Sequence, residues 1–239
     1  MKYLNLHACI GGNRKLLPKW VKVTAVEYDP KVAELYKKLY PDDDVIVGDA
    51  YEYLLNNHQH FDFVWASPPC QTHSKMNKFT RHNTIRYVDG KLFEIIIFLK
   101  HWFAINKTKG YIVENVVPYY DLAFNPVKMG RHLFWSNFDF SPIEVKSPPD
   151  FTRAKKQTMM DWLDIHFEEN IYYGKNHCNV QILRNAVHPK IGESIFNDYC
   201  KWLKKDYDFF DLDLEREKAI YYHAVPNLFF DSDGNKREY

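Results

Sequence analysis

Cysteine is scarce in this sequence and long apolar runs are missing, and each absence excludes a class of protein. The 239 residues contain four cysteines that never form a Cys-x-x-Cys pair, so neither a zinc knuckle nor a disulfide framework is expected. We therefore expect no bound metal and a reducing, cytoplasmic location. The longest apolar run, 93–102, is interrupted by charged residues and is too short to span a membrane, so no membrane partner is expected.

An excess of charge of one sign is also missing. With 32 basic and 31 acidic residues the formal net charge is +1, so no global positive field indicates a nucleic-acid partner. A partner of that kind has to be inferred from local basic patches. Hydrophobic residues account for 46% of the chain, which is enough to build a sizeable core.

Short strands alternate with amphipathic helices along the first half of the chain. The clearest helix begins at Asp29-Pro30, an N-cap followed by proline, and ends by Pro41; another strong helix follows Gly90. The predicted strands cover 3–7, 21–27, 45–47, 61–66 and 111–113. This rhythm predicts right-handed βαβ units, a mostly parallel sheet and therefore an α/β fold, whose ligands bind at the carboxyl ends of the strands.

Polar or flexible residues follow the first three predicted strands. A glycine turn at Gly11 and Gly12 allows close backbone approach to a ligand, Glu27 is suited to ribose hydroxyls, and Asp49 to an adenine amine. Each also has an ordinary explanation, respectively a βα turn, a solvated strand end and a helix N-cap. Together they favour an adenosine-bearing cofactor. Because the G-x-G-x-x-G fingerprint is absent, S-adenosylmethionine is favoured over a dinucleotide.

Two further residues carry reactive side chains just past strands. Cys70 follows Pro68 and Pro69, which make a rigid turn typical of a held nucleophile, although a lone cysteine is often a small buried hydrophobe. Basic residues downstream favour its thiolate; they are Lys75, Lys78, Arg81 and Arg86. Glu114 follows an apolar strand and is suited to donate a proton if shielded, although a salt-bridged surface acid is the alternative.

Several motifs, in the same order, resemble those of the DNA cytosine-5 methyltransferases. SPPCQ (67–71) resembles their Pro-Cys-Gln motif, and ENV (114–116) resembles their Glu-Asn-Val motif. The other similar segments are NLHACIGGN (5–13), the arginine-bearing strand GRHLFWSNF (130–138) and RNAVHP (184–189). The resemblance covers about 3–137 and 181–203, and it implies a Rossmann-like S-adenosylmethionine-dependent methyltransferase fold.

The resemblance also implies a reaction: methyl transfer from S-adenosylmethionine to carbon 5 of a cytosine flipped out of double-stranded DNA. Cys70 would add to carbon 6, Glu114 would protonate or hydrogen-bond to N3, and Arg131 would donate to the ring carbonyl oxygen. Pro68 would also help to position the flipped base. The implied cofactor-binding residues are His7, Ala8, Ile10, Gly11, Gly12, Glu27, Asp49, Pro68, Asn185 and Val187.

The sequence departs from the family pattern around the cofactor turn and before the catalytic arginine. Around the cofactor turn, Asn5 replaces the family's opening Asp, His7 replaces its aromatic residue and Cys9 replaces its first turn glycine. In the arginine strand, Val127 and Met129 replace the Gln and the first Arg. Arg184 replaces the last glycine of the pattern. Cys70 and Glu114 are both present, so we expect an active enzyme.

Boundaries and nucleic-acid contacts can be predicted as well. The sequence predicts a catalytic core over 1–138, a small irregular target-recognition segment over 139–180, a returning core segment over 181–205 and an acidic C-terminal extension over 206–239. Residues 71–88 resemble the family's mobile catalytic loop. The predicted DNA contacts are Gln71, Ser74, Lys75, Lys78, Arg81, Arg153, Lys155 and Lys156, with Trp162, Tyr172 and Tyr173 available for base stacking. The acidic run 206–217 would repel DNA, and we expect it to face away or to dock a protein partner.

Other functions share parts of this pattern. Cytosine in tRNA could be methylated by the same cysteine and glutamate. The altered glycine turn is compatible with a cofactor-binding regulator that no longer catalyses. Ser-Pro-Pro-Cys superficially resembles the Ser/Asp-Pro-Pro-Tyr motif of amino-methyltransferases, but the cysteine and the downstream Glu-Asn-Val argue against that class. The main interpretation remains a compact DNA methyltransferase of a restriction-modification or phage-like setting in a bacterial host.

Overall fold

The computed structural model describes residues 1–75, 87–106, 108–122, 124–172 and 178–206. Several residues with predicted roles lie outside the described ranges, namely Lys78, Arg81, Arg86 and Tyr173. All but the first residue of the predicted acidic extension also lies outside them.

Within the described residues, seven strands form one mixed sheet. They are β1 (Lys2–Leu6), β2 (Lys22–Glu27), β3 (Asp44–Val47), β4 (Phe63–Ala66), β5 (Gly110–Val116), β6 (Val127–Met129) and β7 (His132–Ser136). Their order across the sheet is β3-β2-β1-β4-β5-β7-β6. The first five strands run parallel, whereas β7 is antiparallel to both β5 and β6. The predicted α/β fold with a mostly parallel sheet is confirmed.

Helices connect and cover these strands. They are α1 (Pro30–Leu39), α2 (Ala50–Asn57), α3 (Lys91–Ile105), α4 (Lys156–Leu163), α5 (Gln181–Asn185) and α6 (Pro189–Asp206). The predicted start of α1 is confirmed, because Asp29 accepts hydrogen bonds from the backbone N–H groups of Lys31 and Val32 and Pro30 is the first helical residue. Asp49 caps α2 in the same way.

Apolar side chains pack on both faces of the sheet, as a parallel sheet requires. On one face, Tyr3 stacks on Phe63, and the Phe63 ring packs at a tilt against Tyr199 of α6. On the other, Leu4 and Val64 pack with α2 and α3. A third cluster joins the turn after β1 to α1, α4 and α5; it includes Ile10, Val32, Met159, Leu163 and Leu183. Packing on both faces therefore fixes the sheet, and with it the edge at which the parallel strands end.

Three local predictions are wrong. Glu114 lies inside β5, which continues to Val116, because pairing with β7 extends the strand beyond its apolar residues. The sequence over 180–187 is typical of a strand or loop, but residues 181–185 form the helix α5. Arg131 lies in the turn between β6 and β7 and not in a strand. In the described part of 139–180, α4 is the one regular element, and it packs its buried methionines into the third cluster.

Candidate active site

The turn after β4 carries Cys70 to the carboxyl edge of the sheet. Asn115, the asparagine of the Glu-Asn-Val motif, donates its side-chain N–H to the Pro68 carbonyl oxygen at 2.9 Å. On the other side, the backbone N–H groups of His73 and Ser74 donate to the Cys70 carbonyl oxygen at 3.1 and 2.9 Å. These bonds and the fixed φ of the two prolines define where the Cys70 sulfur lies.

Glu114 presents a buried carboxyl beside this turn and is only 6% exposed. Burial raises the pKa of Glu114 from 4.5 to about 7, against the opposing effects of a hydrogen bond with Ser67 and of the positive charge on Arg131. Trp65 donates its indole N–H to the Ser67 hydroxyl at 3.0 Å, which orients that hydroxyl. Near neutral pH, Glu114 is therefore partly protonated and able to donate a proton.

His132 is a neighbour of Glu114 that the sequence analysis missed. Its Nε2 atom lies 3.7 Å from Oε1 of Glu114, and both residues are buried. Burial, with a smaller contribution from the adjacent Arg131, lowers the pKa of His132 to about 3, so the imidazole is neutral. The signal in the sequence was a histidine opening the apolar run of β7, at a position that directly follows the implied catalytic arginine.

Cys70, Glu114 and Arg131 lie close enough to perturb one another. Burial, followed by the negative charge of Glu114, raises the pKa of Cys70 to about 11, and Arg131 opposes that rise. Among the described residues, Arg131 is the basic side chain that acts on Cys70. Three of the four downstream basic residues expected to favour the thiolate lie outside the described ranges, so that expectation stays a prediction. The structure thus brings the three implied catalytic residues together, with the thiol protonated at neutral pH.

Arg131 is exposed at the border of this cluster and is held mainly by packing. Its guanidinium carbon lies 3.7 Å from the centre of the Phe151 ring, a cation–π contact. Its Nη2 atom lies 3.5 Å from the Arg184 carbonyl oxygen. The contact with Phe151 connects the arginine to the segment 139–180, and the contact with Arg184 connects it to α5.

The turn after β1 is tightly wound, and its glycines are explained by packing. His7, Cys9 and Gly11 have positive φ values of 54°, 49° and 66°. A Cβ atom on Gly11 would lie 2.5 Å from the Tyr40 ring, and one on Gly12 would lie 2.1 Å from the Val187 carbonyl oxygen. The close approach that the glycines permit is therefore to the protein itself.

The two acids predicted to bind the nucleoside also have structural partners. Glu27 is buried and accepts hydrogen bonds from the backbone N–H groups of Cys9 at 2.9 Å and Asp29 at 3.1 Å. Burial raises the pKa of Glu27, against the effect of these bonds. Asp49 is the N-cap of α2 through Oδ1, and its Oδ2 atom lies 3.6 Å from Nζ of Lys91. Each carboxylate keeps lone pairs for a ligand.

The remaining predicted cofactor residues divide into buried and partly accessible ones. Ala8, Ile10, Pro68 and Val187 are buried. Ile10 belongs to the core cluster with α1 and α4, so its side chain serves packing. Asn185 is half-buried at the end of α5, and its side-chain oxygen accepts a hydrogen bond from Gln181 at 2.7 Å.

Two features of this edge fit an adenosine-bearing cofactor. The Nδ1 atom of His7 is buried and has no hydrogen-bond partner among residues 1–75 or the other described ranges. Tyr28, between Glu27 and Asp29 at the end of β2, is 75% exposed. A polar group of the ligand would hydrogen-bond to Nδ1 of His7, and a flat base would cover the exposed ring of Tyr28. The sequence analysis missed Tyr28, although an aromatic residue directly after the acid at a strand end was visible.

The predicted DNA contacts differ in how free their side chains are. Gln71, Lys75, Arg153 and Lys155 are exposed, whereas Ser74 is half-buried and pairs with Pro118 in a β-bridge. The ammonium of Lys156 donates to the carbonyl oxygens of Glu168 and Glu169 at 3.0 and 2.7 Å and lies 4.8 Å from the Phe167 ring. Lys156 therefore has an internal role that the sequence did not indicate.

Trp162, predicted to stack on bases, is packed into the protein. Its ring contacts Phe151 and His188 with centroid distances of 5.6 and 4.8 Å, and its indole N–H donates to the Lys146 carbonyl oxygen at 2.9 Å. Tyr172 is 53% exposed and keeps a free face. Within the described ranges, no cluster of metal-ligating side chains is found, and no helix is long and apolar enough to cross a bilayer.

The sheet order and the cluster at its carboxyl edge define an α/β protein whose site joins a thiol, a protonatable carboxyl and an arginine. Residues 1–118, close to half of the 239-residue chain, match the family model for C-5 cytosine-specific DNA methylases. Over these residues, the match confirms the resemblance inferred from the motifs. No curated protein matches the chain.

Solved structures with a similar arrangement are distant. A mutant of DNMT2 from Spodoptera frugiperda is 21% identical with a TM-score of 0.35 and covers 48% of this chain. A prophage-encoded protein of Escherichia coli, named as a DNA modification methyltransferase, is 14% identical with a TM-score of 0.41 and covers 63% of this chain. The present chain spans 35% and 56% of the lengths of these two proteins.

Proposed function

We propose that this protein transfers a methyl group from S-adenosylmethionine to carbon 5 of cytosine in DNA. The observation that carries the proposal is the grouping of Cys70, Glu114 and Arg131, in which burial raises the pKa of Glu114 to about 7. A nucleophile beside a carboxyl that is partly protonated at neutral pH suits addition to a ring that must be activated by protonation. The family of residues 1–118 supports the same chemistry.

The cofactor would bind along the carboxyl ends of β1 to β3. When bound, S-adenosylmethionine supplies an electrophilic methyl group on a positively charged sulfur. The exposed ring of Tyr28 offers a stacking face for adenine, and Glu27 retains acceptor capacity for ribose hydroxyls. His7 offers its unpartnered Nδ1 atom, and Asp49 offers Oδ2 for the adenine amine.

The first half of the reaction activates cytosine. Cys70 loses its proton to water, and its thiolate forms a bond to carbon 6 while the carbon 5–carbon 6 double bond opens. Glu114 gives its proton to N3, and Arg131 donates hydrogen bonds to the carbonyl oxygen, so that charge developing on the ring is neutralised. The electron pair released from the double bond becomes available at carbon 5.

The second half restores the ring. The electron pair at carbon 5 would form the new bond to the methyl group while the methyl–sulfur bond of the donor breaks, and the electron pair of that bond would stay on sulfur to give S-adenosylhomocysteine. A water molecule then removes the remaining proton from carbon 5, the double bond re-forms, and the Cys70 thiolate leaves carbon 6. Glu114 takes back the proton from N3, and the thiolate is reprotonated from water. The enzyme returns to its initial state with both protons accounted for.

DNA would be held by exposed basic and polar side chains around the site. Gln71 and Lys75 lie one and five residues after the catalytic cysteine, and Arg153 and Lys155 lie just before α4. Their charge suits phosphate contacts, which favour binding without specifying sequence. The segment 139–180 is proposed to read the target, and the cytosine must leave the base stack to reach Cys70.

The test is covalent trapping. Duplex DNA containing 5-fluorocytosine, incubated with the protein and S-adenosylmethionine, is expected to give a stable protein–DNA adduct, because fluorine at carbon 5 cannot be removed as a proton is. The adduct should be lost in Cys70→Ala and retained in Cys200→Ala, which removes a half-buried cysteine from α6.

The substrate is decided by a parallel arm with tRNA containing 5-fluorocytosine. An adduct with tRNA alone would assign the enzyme to RNA and contradict the DNA proposal. Binding of S-adenosylmethionine and DNA without any adduct would instead indicate a regulator that no longer catalyses.

A further inference from the structure

The arginine implied to contact the cytosine lacks the polar setting that the family motif would give it. The two positions where the motif has Gln and the first Arg are held here by Val127 and Met129. Met129 is buried in the core cluster, and Val127 packs against that cluster. Neither side chain can donate a hydrogen bond or carry a charge, so Arg131 depends on other contacts for its orientation.

The contact that fixes the plane of the guanidinium comes from Phe151. Its ring centre lies 3.7 Å from the guanidinium carbon, well within the range of a cation–π interaction. Among the described residues, the only hydrogen bond made by the Arg131 side chain is the long one to the Arg184 carbonyl oxygen, at 3.5 Å. A face-to-face contact with a ring leaves the N–H edge of the guanidinium free to donate elsewhere.

Phe151 is itself held in place by the segment around it. Its ring meets the Trp162 ring edge-on at 5.6 Å. Trp162 donates to the Lys146 carbonyl oxygen at 2.9 Å, and its own carbonyl oxygen lies 3.0 Å from Nε2 of His188. The ring under Arg131 therefore belongs to a fixed aromatic cluster that connects the segment 139–180 to the start of α6.

We propose that Phe151 is a positioning residue, which holds the Arg131 guanidinium so that its N–H edge faces Cys70, Glu114 and the carbonyl oxygen of the flipped cytosine. The proposal rests on the proposed function and deepens it. It makes the segment proposed to read the target also responsible for placing a catalytic side chain. In this compact chain, one ring from that segment then substitutes for the missing polar residues of the arginine motif.

The test compares three variants of the full chain. Phe151→Leu removes the ring but keeps an apolar side chain, and Phe151→Tyr restores an aromatic face. Phe167→Leu is the matched control, because it removes the ring under Lys156 in the same segment without touching Arg131. Thermal unfolding of each variant shows whether the fold is retained, and binding of DNA and cofactor is measured separately from the rate.

Two readouts report on Arg131. The first is the single-turnover methylation rate at saturating DNA, which we expect to fall about 10-fold in Phe151→Leu, to recover in Phe151→Tyr and to stay unchanged in Phe167→Leu. The second is alkylation of Cys70 by iodoacetamide between pH 8 and 9, followed by peptide mass spectrometry. It needs neither DNA nor cofactor. Because Arg131 lowers the pKa of Cys70, displacing it should slow alkylation roughly 2- to 5-fold.

The two proposals fail in different ways. If Cys70 in Phe151→Leu is alkylated as fast as in the wild type and in Phe167→Leu, the positioning role of Phe151 is overturned whatever the methylation rates are. If alkylation slows and is restored by Phe151→Tyr while the wild type forms no adduct with cytosine, the positioning role stands and the proposed reaction fails.

Discussion

At the scale of single residues, the meaning of a side chain in this protein depends on how deeply it is buried. A carboxyl and a thiol were visible in the sequence, but their protonation states were not. Burial raises the pKa of Glu114 to about 7, so that this carboxyl can donate a proton near neutral pH, and it raises the pKa of Cys70 to about 11. The acid is thus prepared for the reaction, whereas the nucleophile needs an added positive charge or a changed environment to ionise.

The raised pKa of Glu114 predicts a pH-dependent stability. In the unfolded chain this carboxyl ionises near pH 4.5, but in the folded protein it stays protonated until about pH 7. The folded state therefore binds this proton more tightly, and the contribution of Glu114 to the free energy of unfolding should fall as pH rises from about 4.5 to 7. Buried histidines such as His132 act in the opposite direction but are common to wild type and Glu114→Gln. The difference in the free energy of unfolding between the two proteins should therefore change by about 3 kcal/mol across this range, as measured by urea unfolding.

A wild type and a Glu114→Gln variant with parallel stability curves would contradict this prediction. The same variant should lower the methylation rate by about 100-fold or more, because an amide cannot deliver a proton to N3. Equal unfolding enthalpies of the two proteins at pH 4 would serve as the control that the fold is unchanged.

At the scale of elements, the turn after β1 is fixed by contacts with elements far along the chain. Gly12 lies against the Val187 backbone, and Gly192 of α6 lies against the backbone of Asn13. Both contacts leave no room for a Cβ atom. The turn after β1 is thus in close contact with the end of α5 and the start of α6. These late residues of the chain therefore stabilise the proposed cofactor-binding edge of the sheet.

Gly12→Ala should therefore be strongly destabilising. Its Cβ atom would lie 2.1 Å from the Val187 carbonyl oxygen, a backbone atom that cannot move without shifting α5. We expect a loss of about 2–4 kcal/mol in the free energy of unfolding. Gly48→Ala is the matched control, since a Cβ atom there meets nothing within 4 Å. Equal midpoints of chemical unfolding for the two variants would refute the packing explanation.

At the scale of the whole molecule, the segment 139–180 shares a hydrophobic core with the cofactor edge. Met159 and Leu163 of α4 pack with Val32 of α1 and Ile10 of the turn after β1. The predicted boundaries at 138 and 180 mark changes in the pattern of the sequence, but apolar side chains from both sides of these boundaries pack in the same core cluster. A common core implies that the described residues unfold together.

Met159→Ala tests this common core. Met159 is fully buried, so its truncation should lower the free energy of unfolding of the whole protein by about 2–5 kcal/mol while keeping one transition. Thr158→Ala, an exposed neighbour on α4, should change it by less than about 0.5 kcal/mol. Fluorescence and far-UV circular dichroism should follow the same curve in all three proteins. Two separate transitions in the wild type would show that the segment is an independent unit.

Much of the fold could be predicted because its signals are local. The cap at Asp29-Pro30, the apolar spacing of α1 and α3 and the strand rhythm each depend on a few neighbouring residues. The errors have non-local causes. β5 is longer than its apolar run because β7 pairs with it, and α5 forms where Ile182 and Leu183 meet the third cluster.

The sequence by itself determined the α/β alternation, the helix starts and the family resemblance of the first half, because spacing, caps and motif order do not depend on tertiary contacts. Only the tertiary structure decided that Cys70 is protonated at rest, that the turn glycines accommodate Tyr40 and Val187, and that Arg131 rests on Phe151. Protonation depends on burial and on charges brought near by folding. The other two depend on contacts between residues from separate parts of the chain, and no local pattern encodes such contacts.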